Sequence, residues 1–256
     1  METDANVKNE TAAAPKRGMA RRVLCVLGVI LAALVVAFFI YVSIYYHADS
    51  RAQAAMKSGE DVTVEESSSS IVFVPQSPTA GFIFYPGAKV EPAAYAPLMR
   101  SCAERGVLCI VPKMPFNLAL LNIGAADGVI ASHPEVHTWL LGGHSMGGLA
   151  STFYLNDHME DYDGLVLLGS YSTVDLTAFE GEALALAGTN DHVLNWTNYE
   201  EGKKKLPGDD AAHLIEGGNH AGFGDYGVQQ VDGEATITHE EQQRVVVEEV
   251  ERMLAR

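Results

Sequence analysis

The stretch Gly142–Gly148, GGHSMGG, places one serine among glycines directly after the apolar run Trp139–Leu141. It fits the pattern G-x-S-x-G over Gly143–Gly147. In a strand-to-helix turn of this kind the serine hydroxyl projects outward, and the glycines avoid side-chain clashes in the tight backbone. A plain glycine-serine loop would match the pattern equally well. The surrounding sequence is therefore needed to distinguish a nucleophile turn from such a loop.

Short apolar runs alternate with helical periodicities on both sides of this turn. The predicted strands are VTV (62–64), IVFVP (71–75), GFIFY (81–85), VLCIVP (107–112), HTWLLGG (137–143), GLVLLGS (164–170), ALALAG (183–188) and AAHLIEG (211–217). The predicted helices cover residues 91–106, 116–133, 146–158, 196–206 and 239–254. This alternation predicts a mostly parallel sheet with helices on both faces and functional loops at the carboxyl ends of its strands. GGHSMGG follows one strand and precedes a helix, which favours a nucleophile turn.

Ser145 is the predicted nucleophile, and its hydroxyl needs a base because it is unreactive at neutral pH. In the chain order typical of such a turn, an acid follows a later strand and a histidine follows the acid. Asp191 comes directly after the run ALALAG and is the predicted orienting acid. The alternative is that Asp191 is an ordinary turn residue.

Four histidines follow the run ALALAG, and His220 is the predicted base. It lies in GGNHAG (217–222), just past the last predicted strand, where a loop can bring its imidazole between the serine and the acid. His192 is adjacent to the acid in the chain, His213 lies within a strand and His239 begins a helix. These positions make the other three poorer candidates.

The amides of Met146 and Ala88 are the predicted donors to a developing oxyanion. Met146 follows the serine, and Ala88 lies in the loop after GFIFY. The alternative for Ala88 is simply a tight turn. No cofactor and no metal site is predicted, because residues 142–148 do not form G-x-G-x-x-G and no cysteine or histidine spacing resembles a zinc site.

Residues 23–44 form a run without charges, VLCVLGVILAALVVAFFIYVSI, long enough to span a bilayer as a helix. We therefore predict a single transmembrane signal anchor over residues 23–46. A cleavable signal peptide is the alternative, with a candidate cleavage site at Ala52-Gln53-Ala54.

Charge predicts the orientation of this anchor. The basic residues before it are Lys8, Lys16, Arg17, Arg21 and Arg22. Because basic flanks stay in the cytoplasm, residues 1–22 are predicted to be a cytoplasmic tail of a single-pass cell-membrane protein. Residues 47–60 are predicted to be a stalk, and residues 61–256 an α/β domain outside the membrane.

The net charge of −16 argues against nucleic acid as a partner, since a phosphate backbone requires a basic surface. Cys102 and Cys109 could pair in an oxidising compartment; the alternative is that they are small buried side chains. The sequence does not predict an oligomeric state.

Several loops together resemble the bacterial α/β-hydrolase family related to dienelactone hydrolases, over residues 62–254. The stretches that carry the resemblance are FYPGAKVEPAAYAPL (84–98), VPKMPFNLAL (111–120), GGHSMGG (142–148), GTNDHV (188–193) and EGGNHAGFGDYG (216–227). The resemblance implies an α/β-hydrolase fold and a serine hydrolase with the triad Ser145, Asp191 and His220.

Residues 171–182, between two predicted strands, are too few for a lid domain, so an open site is expected. We predict a carboxylesterase that forms an acyl-enzyme and acts on a small-molecule or polymer-borne ester. Two alternatives stay open: an acyltransferase that passes the acyl group to a cell-envelope alcohol, and a non-catalytic binding protein on the same scaffold.

Overall fold

A computed structural model of the chain describes residues 17–208 and 211–255. The chain divides into two units, one ending at Ser43 and the other running from Ile44 onward. The described part of the first unit is helix α1 (Arg17–Ser43). Its stretch Arg21–Ser43 includes 18 consecutive residues with a mean hydropathy of 3.2 and is long and apolar enough to cross a membrane. Residues 1–16 of the predicted tail, with Lys8 and Lys16, lie outside the described residues.

The described strands of the second unit form one mixed sheet. They are β1 (Val62–Glu66), β2 (Ser70–Pro75), β3 (Ala80–Tyr85), β4 (Val107–Pro112), β5 (Trp139–His144), β6 (Gly164–Leu168), β7 (Glu182–Gly188) and β8 (Ala212–Ile215). Their order is β1-β2-β4-β3-β5-β6-β7-β8, and only the pairs β1–β2 and β2–β4 are antiparallel. Strands β3 to β6 are buried along their whole length, as their uninterrupted apolar sequences require.

Helices cover both faces of this sheet, which confirms the predicted layering. They are α2 (Ser50–Ala55), α3 (Ala96–Ala103), α4 (Val129–Ser132), α5 (Met146–Asp157), α6 (Trp196–Lys203) and α7 (His239–Leu254). One apolar core lies between the sheet and α2, α3 and α7, and a second lies on the opposite face with α5 and α6. Helix α7 begins with a capping box between Thr238 and Glu241, which fixes its first turn.

The predicted helix at 116–133 is wrong for most of its length. The chain instead forms three short 3-10 turns between Pro115 and Ala126, and only α4 is α-helical. Phe116 and Asn117 have φ of 55° and Gly128 has φ of 73°, and each left-handed residue interrupts a right-handed helix.

The segment 47–60 differs from the predicted stalk. Asp49 caps α2 by accepting hydrogen bonds from the amides of Arg51 and Ala52. Ala48 and Ala52 are buried in the core that includes α3 and α7. This segment therefore packs against the globular unit.

The connection between β6 and β7 is short. Residues 169–181 contain turns but neither helix nor strand, so no lid domain lies there.

Cys102 and Cys109 are free thiols buried in one core, which agrees with the alternative to a disulfide.

Candidate active site

Ser145 occupies the turn between β5 and α5 in a backbone conformation that non-glycine residues avoid, with φ of 53° and ψ of −122°. Two hydrogen bonds keep it there: its amide donates to the Leu168 carbonyl (2.9 Å), and its carbonyl accepts from the Ser170 hydroxyl (2.7 Å). A strained serine between a parallel strand and a helix is the arrangement that exposes a reactive hydroxyl.

The glycines of the motif allow the end of β3 to pass directly against this turn. A methyl group at Gly143 would lie 2.5 Å from the Tyr85 carbonyl oxygen. One at Gly147 would collide with the carbonyl oxygens of Tyr85 and Pro86. Both glycines are therefore required by packing, which distinguishes the turn from an ordinary glycine-serine loop.

His220 and Asp191 form a buried hydrogen-bonded pair. The distance from His220 Nδ1 to Asp191 Oδ2 is 2.7 Å, and the two side chains are 2% and 0% exposed. The other carboxylate oxygen, Oδ1, accepts hydrogen bonds from the amides of Val193 (2.9 Å) and Leu194 (2.7 Å). The carboxylate is thus fixed from both sides, and it orients the imidazole so that Nε2 is free to act as an acceptor.

His220 Nε2 is buried and has no hydrogen-bond partner among the described residues. It lines a cavity of about 230 Å³ together with Ser145 and Met146. No hydrogen bond joins the Ser145 hydroxyl to His220 within the described residues; such bonds are often long in unliganded sites. The cavity is also lined by Leu149, Gly169, Ser170, Tyr171, Val193, Leu194 and Asn195.

The predicted acid and the predicted second amide donor lie outside this cavity lining. Asp191 lies behind His220, which it contacts directly.

Ala88 lies in the turn after β3, in which the Gly87 amide donates to the Tyr95 hydroxyl (3.0 Å) and the Lys89 amide donates to the Asn117 carbonyl (2.7 Å). Among the described residues of this turn, no acceptor binds the Ala88 amide. Met146, at the first position of α5, has no partner for its amide within the helix.

His144 connects the turn after β3 with His220, a role that the sequence did not reveal. Its Nδ1 lies 2.8 Å from the Tyr95 hydroxyl, which itself accepts the Gly87 amide. Its ring centroid lies 4.5 Å from that of His220. Burial, with a smaller effect of neighbouring His220, holds the pKa of His144 well below its usual value. His144 is therefore neutral, and its Nδ1 shares a hydrogen bond with the Tyr95 hydroxyl.

Gly169, at the end of β6, is another residue that sequence reasoning missed. It has φ of +51°, and a methyl group there would lie 2.9 Å from His220 Nδ1 and 3.2 Å from Asp191 Oδ2. Only glycine leaves room for the histidine-aspartate pair at this position. The signal in the sequence was a glycine immediately after an apolar strand on the same edge of the sheet as Ser145.

The main chain on both sides of His220 is held by other side chains. Gln242, on α7, accepts the Asn219 amide (3.0 Å) and donates to the Asn219 carbonyl (2.8 Å). Asp232 accepts the Ala221 amide (2.9 Å). Within the described residues, no group of three or more His, Cys, Asp or Glu side chains is arranged to hold a metal ion.

Comparisons with known proteins agree with this architecture. The structure is similar to the crystal structure of TT1662 from Thermus thermophilus (TM-score 0.58, 16% identity, covering 76% of this chain and 99% of that one). It is also similar to Est1E from Butyrivibrio proteoclasticus (TM-score 0.55, 13% identity, covering 77% and 100%). A third similar structure is a predicted CIB-like hydrolase from Thermoplasma acidophilum (TM-score 0.55, 16% identity, covering 75% and 99%).

At these identities the likeness shows the fold, and it confirms the predicted α/β-hydrolase fold. None of the curated protein sequences compared with this chain matches it. The family model described as the alpha/beta hydrolase family matches residues 81–244, more than half of the chain. The chain therefore belongs to the alpha/beta hydrolase family.

Proposed function

We propose that this chain is a serine hydrolase that cleaves carboxylic esters through an acyl-enzyme on Ser145. The Ser145 oxygen attacks the ester carbonyl while His220 Nε2 takes the hydroxyl proton. The amides of Met146 and Ala88 stabilise the oxyanion, and His220 then gives its proton to the leaving alcohol. A water molecule then attacks the acyl-enzyme carbonyl while His220 takes its proton. The bond to the Ser145 oxygen breaks, the acid is released, and His220 returns the proton to Ser145.

The observation that carries this proposal is the buried His220–Asp191 pair beside the strained serine. Asp191 accepts a hydrogen bond from Nδ1–H, which selects the tautomer with a free Nε2 and stabilises the imidazolium that forms during attack. His220 Nε2 is unpaired among the described residues and lies on the wall of the cavity that Ser145 also lines, which is where a base for the Ser145 hydroxyl is needed.

The cavity supports a substrate with a short or flat acyl group. Its apolar wall consists of Met146, Leu149, Tyr171, Val193 and Leu194. A volume of about 230 Å³ has room for a small acyl group but not for a long extended chain. Est1E, a similar structure, has also been solved with ferulic acid bound. This agrees with an ester of a small or aromatic acid, either free or carried on a polymer.

Membrane anchoring is part of the same proposal. Helix α1 has the length and composition of a span, and exposed Arg21 and Arg22 lie at its amino-terminal end. We propose that residues 23–43 anchor the protein once, with the amino terminus in the cytoplasm and the hydrolase domain outside. The span is shorter than the predicted 23–46, because α1 ends at Ser43 and Tyr46 bonds to the main chain of Lys89 and Glu91. The loop stretches identified in the sequence further support a relationship to dienelactone hydrolases within the family.

Hydrolysis of p-nitrophenyl acetate by the purified protein tests the proposed activity. Ser145→Ala should lower kcat by about 10⁴-fold or more, because the acyl-enzyme can no longer form. Ser132→Ala is the matched control: Ser132 is exposed on α4, before β5, and its substitution should leave kcat unchanged. Equal activity of Ser145→Ala and wild type, or no turnover by wild type across a panel of short and aromatic esters, would refute the proposal.

A further inference from the structure

Residues 46–51, here called the bridging segment, contact both loops that supply the proposed active site. On the first loop, which carries Ala88, the contact is made by the main chain of Tyr46. The Tyr46 amide donates to the Lys89 carbonyl (2.7 Å), and the Tyr46 carbonyl accepts the Glu91 amide (2.9 Å). Together these form a parallel bridge between Tyr46 and Val90. The bridge fixes the carboxyl-terminal side of the turn that presents the Ala88 amide.

The side chain of Tyr46 contacts the second loop, which runs from His220 to Gln230 and is here called the histidine loop. Its ring centroid lies 5.4 Å from that of Tyr226. Its hydroxyl accepts the Gln230 amide (3.2 Å). Tyr46 therefore contacts the loop that carries Ala88 through its main chain and the histidine loop through its side chain.

Arg51 strengthens the contact with the histidine loop through Asp225. Arg51 Nη1 lies 2.7 Å from Asp225 Oδ1, and the carboxylate is only 2% exposed. The Asp49 amide also donates to the Asp225 carbonyl (2.9 Å). Although burial alone would raise the pKa of Asp225, hydrogen bonds from His239, Gln243 and Arg51 hold that pKa below its usual value. Asp225 is therefore a buried anion that depends on these partners.

Asp225 is coupled to the main chain beside His220 through Gln243 on α7. Gln243 Nε2 donates to Asp225 Oδ2 (2.8 Å) and to the Gly222 carbonyl (3.4 Å). Gln243 Oε1 accepts a hydrogen bond from Arg51 (3.0 Å). A displacement of Arg51 is thus transmitted to the chain two residues after the proposed base.

We propose that the bridging segment is a positioning element of the active site, which holds the Ala88 amide and His220 in register with each other. Its residues do not touch the substrate; they act through the two loops. The inference rests on the proposed function, because it assigns the segment to the same ester-cleaving site.

This role has a consequence for the anchor. Cleavage at the candidate signal-peptidase site, Ala52-Gln53-Ala54, would remove the bridging segment together with the membrane-spanning residues. The site itself lies within α2, and Ala52 is fully buried. Cleavage there should therefore lower activity, whereas a form that retains residues 46–51 should keep it.

The first test compares Arg51→Ala and Arg51→Lys in the full-length protein. Since misplacing catalytic groups by a fraction of an ångström to one ångström costs about tenfold to a hundredfold, Arg51→Ala should lower kcat by that factor with KM little changed. Arg51→Lys keeps a cation facing Asp225 and should recover part of the loss. Arg244→Ala is the matched control, because Arg244 forms an exposed ion pair with Glu248 on α7.

The second test substitutes Tyr46, which leaves no buried charge behind. Tyr46→Ala should lower kcat in the same way, whereas Tyr46→Phe keeps the ring on Tyr226 and should retain most activity. Tyr45→Ala is the matched control, since the Tyr45 ring contacts exposed His47 (4.2 Å between centroids). Rates are normalised to the folded fraction measured by circular dichroism.

Loss of kcat in both alanine variants, with recovery in Arg51→Lys and Tyr46→Phe, supports the proposal. Unchanged kcat, or a loss that only follows the folded fraction, overturns it. Failure of the proposed function itself is seen separately, because wild-type protein would then hydrolyse no ester before any variant is compared.

Discussion

Substitution of Gly169 by alanine isolates the position of His220 without changing any proposed catalytic group. The added methyl group would lie 2.9 Å from His220 Nδ1 and 3.1 Å from Cε1, whereas ordinary contact begins at 3.4 Å. The imidazole must therefore move by roughly 0.5 Å, away from the geometry in which it bonds Asp191. Because a misplacement of about 1 Å costs about a hundredfold, kcat should fall about tenfold.

Gly128→Ala is the control for the backbone. Gly128 also has a positive φ, of 73°, but a methyl group there would have no atom within 4 Å. Both substitutions force alanine into the left-handed region and should each lower the free energy of unfolding by about 1–2 kcal/mol. Only Gly169→Ala presses on the histidine-aspartate pair.

The assay is the steady-state hydrolysis of p-nitrophenyl acetate, with the free energy of unfolding measured in guanidinium chloride. We expect Gly169→Ala to be destabilised at least as much as Gly128→Ala, because it adds a steric contact, and we expect only Gly169→Ala to lose kcat. If Gly169→Ala keeps kcat within twofold of Gly128→Ala, the packing of Gly169 against His220 does not control the reaction.

Three further predictions concern the same site. In the unfolded chain His144 binds a proton below a pH of about 6.5, whereas the folded, buried ring does not. The free energy of unfolding should therefore fall toward low pH by up to about 1.4 kcal/mol per pH unit. His144→Gln should flatten that slope in guanidinium titrations at several pH values, and equal slopes would contradict this prediction. Asp191→Asn should lower kcat by about 10⁴-fold by favouring the wrong tautomer of His220, and near-normal turnover in the ester assay would rule out this role. With competing methanol or glycerol, free acid should be the main product by chromatography, because half-buried Ser145 lies in a cavity that water reaches; an excess of new ester would indicate an acyltransferase.

The sequence predicted the parallel core of the fold because its strands are buried on both faces. Runs such as GFIFY and GLVLLGS are apolar without interruption, so their positions are visible without knowledge of any partner. The turn at Ser145 was recognisable in the sequence because close packing allows only glycine at Gly143 and Gly147, which leaves the pattern G-x-S-x-G.

Local periodicity failed where single residues take left-handed conformations. The stretch 116–133 has helical spacing of apolar residues, but the positive φ of Phe116, Asn117 and Gly128 breaks the helix into turns. Those conformations are fixed by tertiary contacts, such as the bond from the Lys89 amide to the Asn117 carbonyl. Periodicity carries no information about such contacts.

Long-range polar pairs were equally invisible in the sequence. Arg51 and Asp225 are 174 residues apart, so nothing local marks them as partners, and residues 47–60 resembled a stalk. The link from Gly87 through Tyr95 to His144 likewise depends on three elements meeting behind the active-site turn. Sequence reasoning located the proposed reactive groups but not the residues that hold them in place.

In the proposed mechanism His220 makes the Ser145 hydroxyl reactive. Its most direct test is labelling of the full-length protein with a fluorophosphonate, followed by peptide mapping by mass spectrometry. We expect one adduct per chain on Ser145, none in Ser145→Ala, and much slower labelling in His220→Ala. No adduct on the wild-type protein, or equally fast labelling of Ser145 without His220, would contradict it.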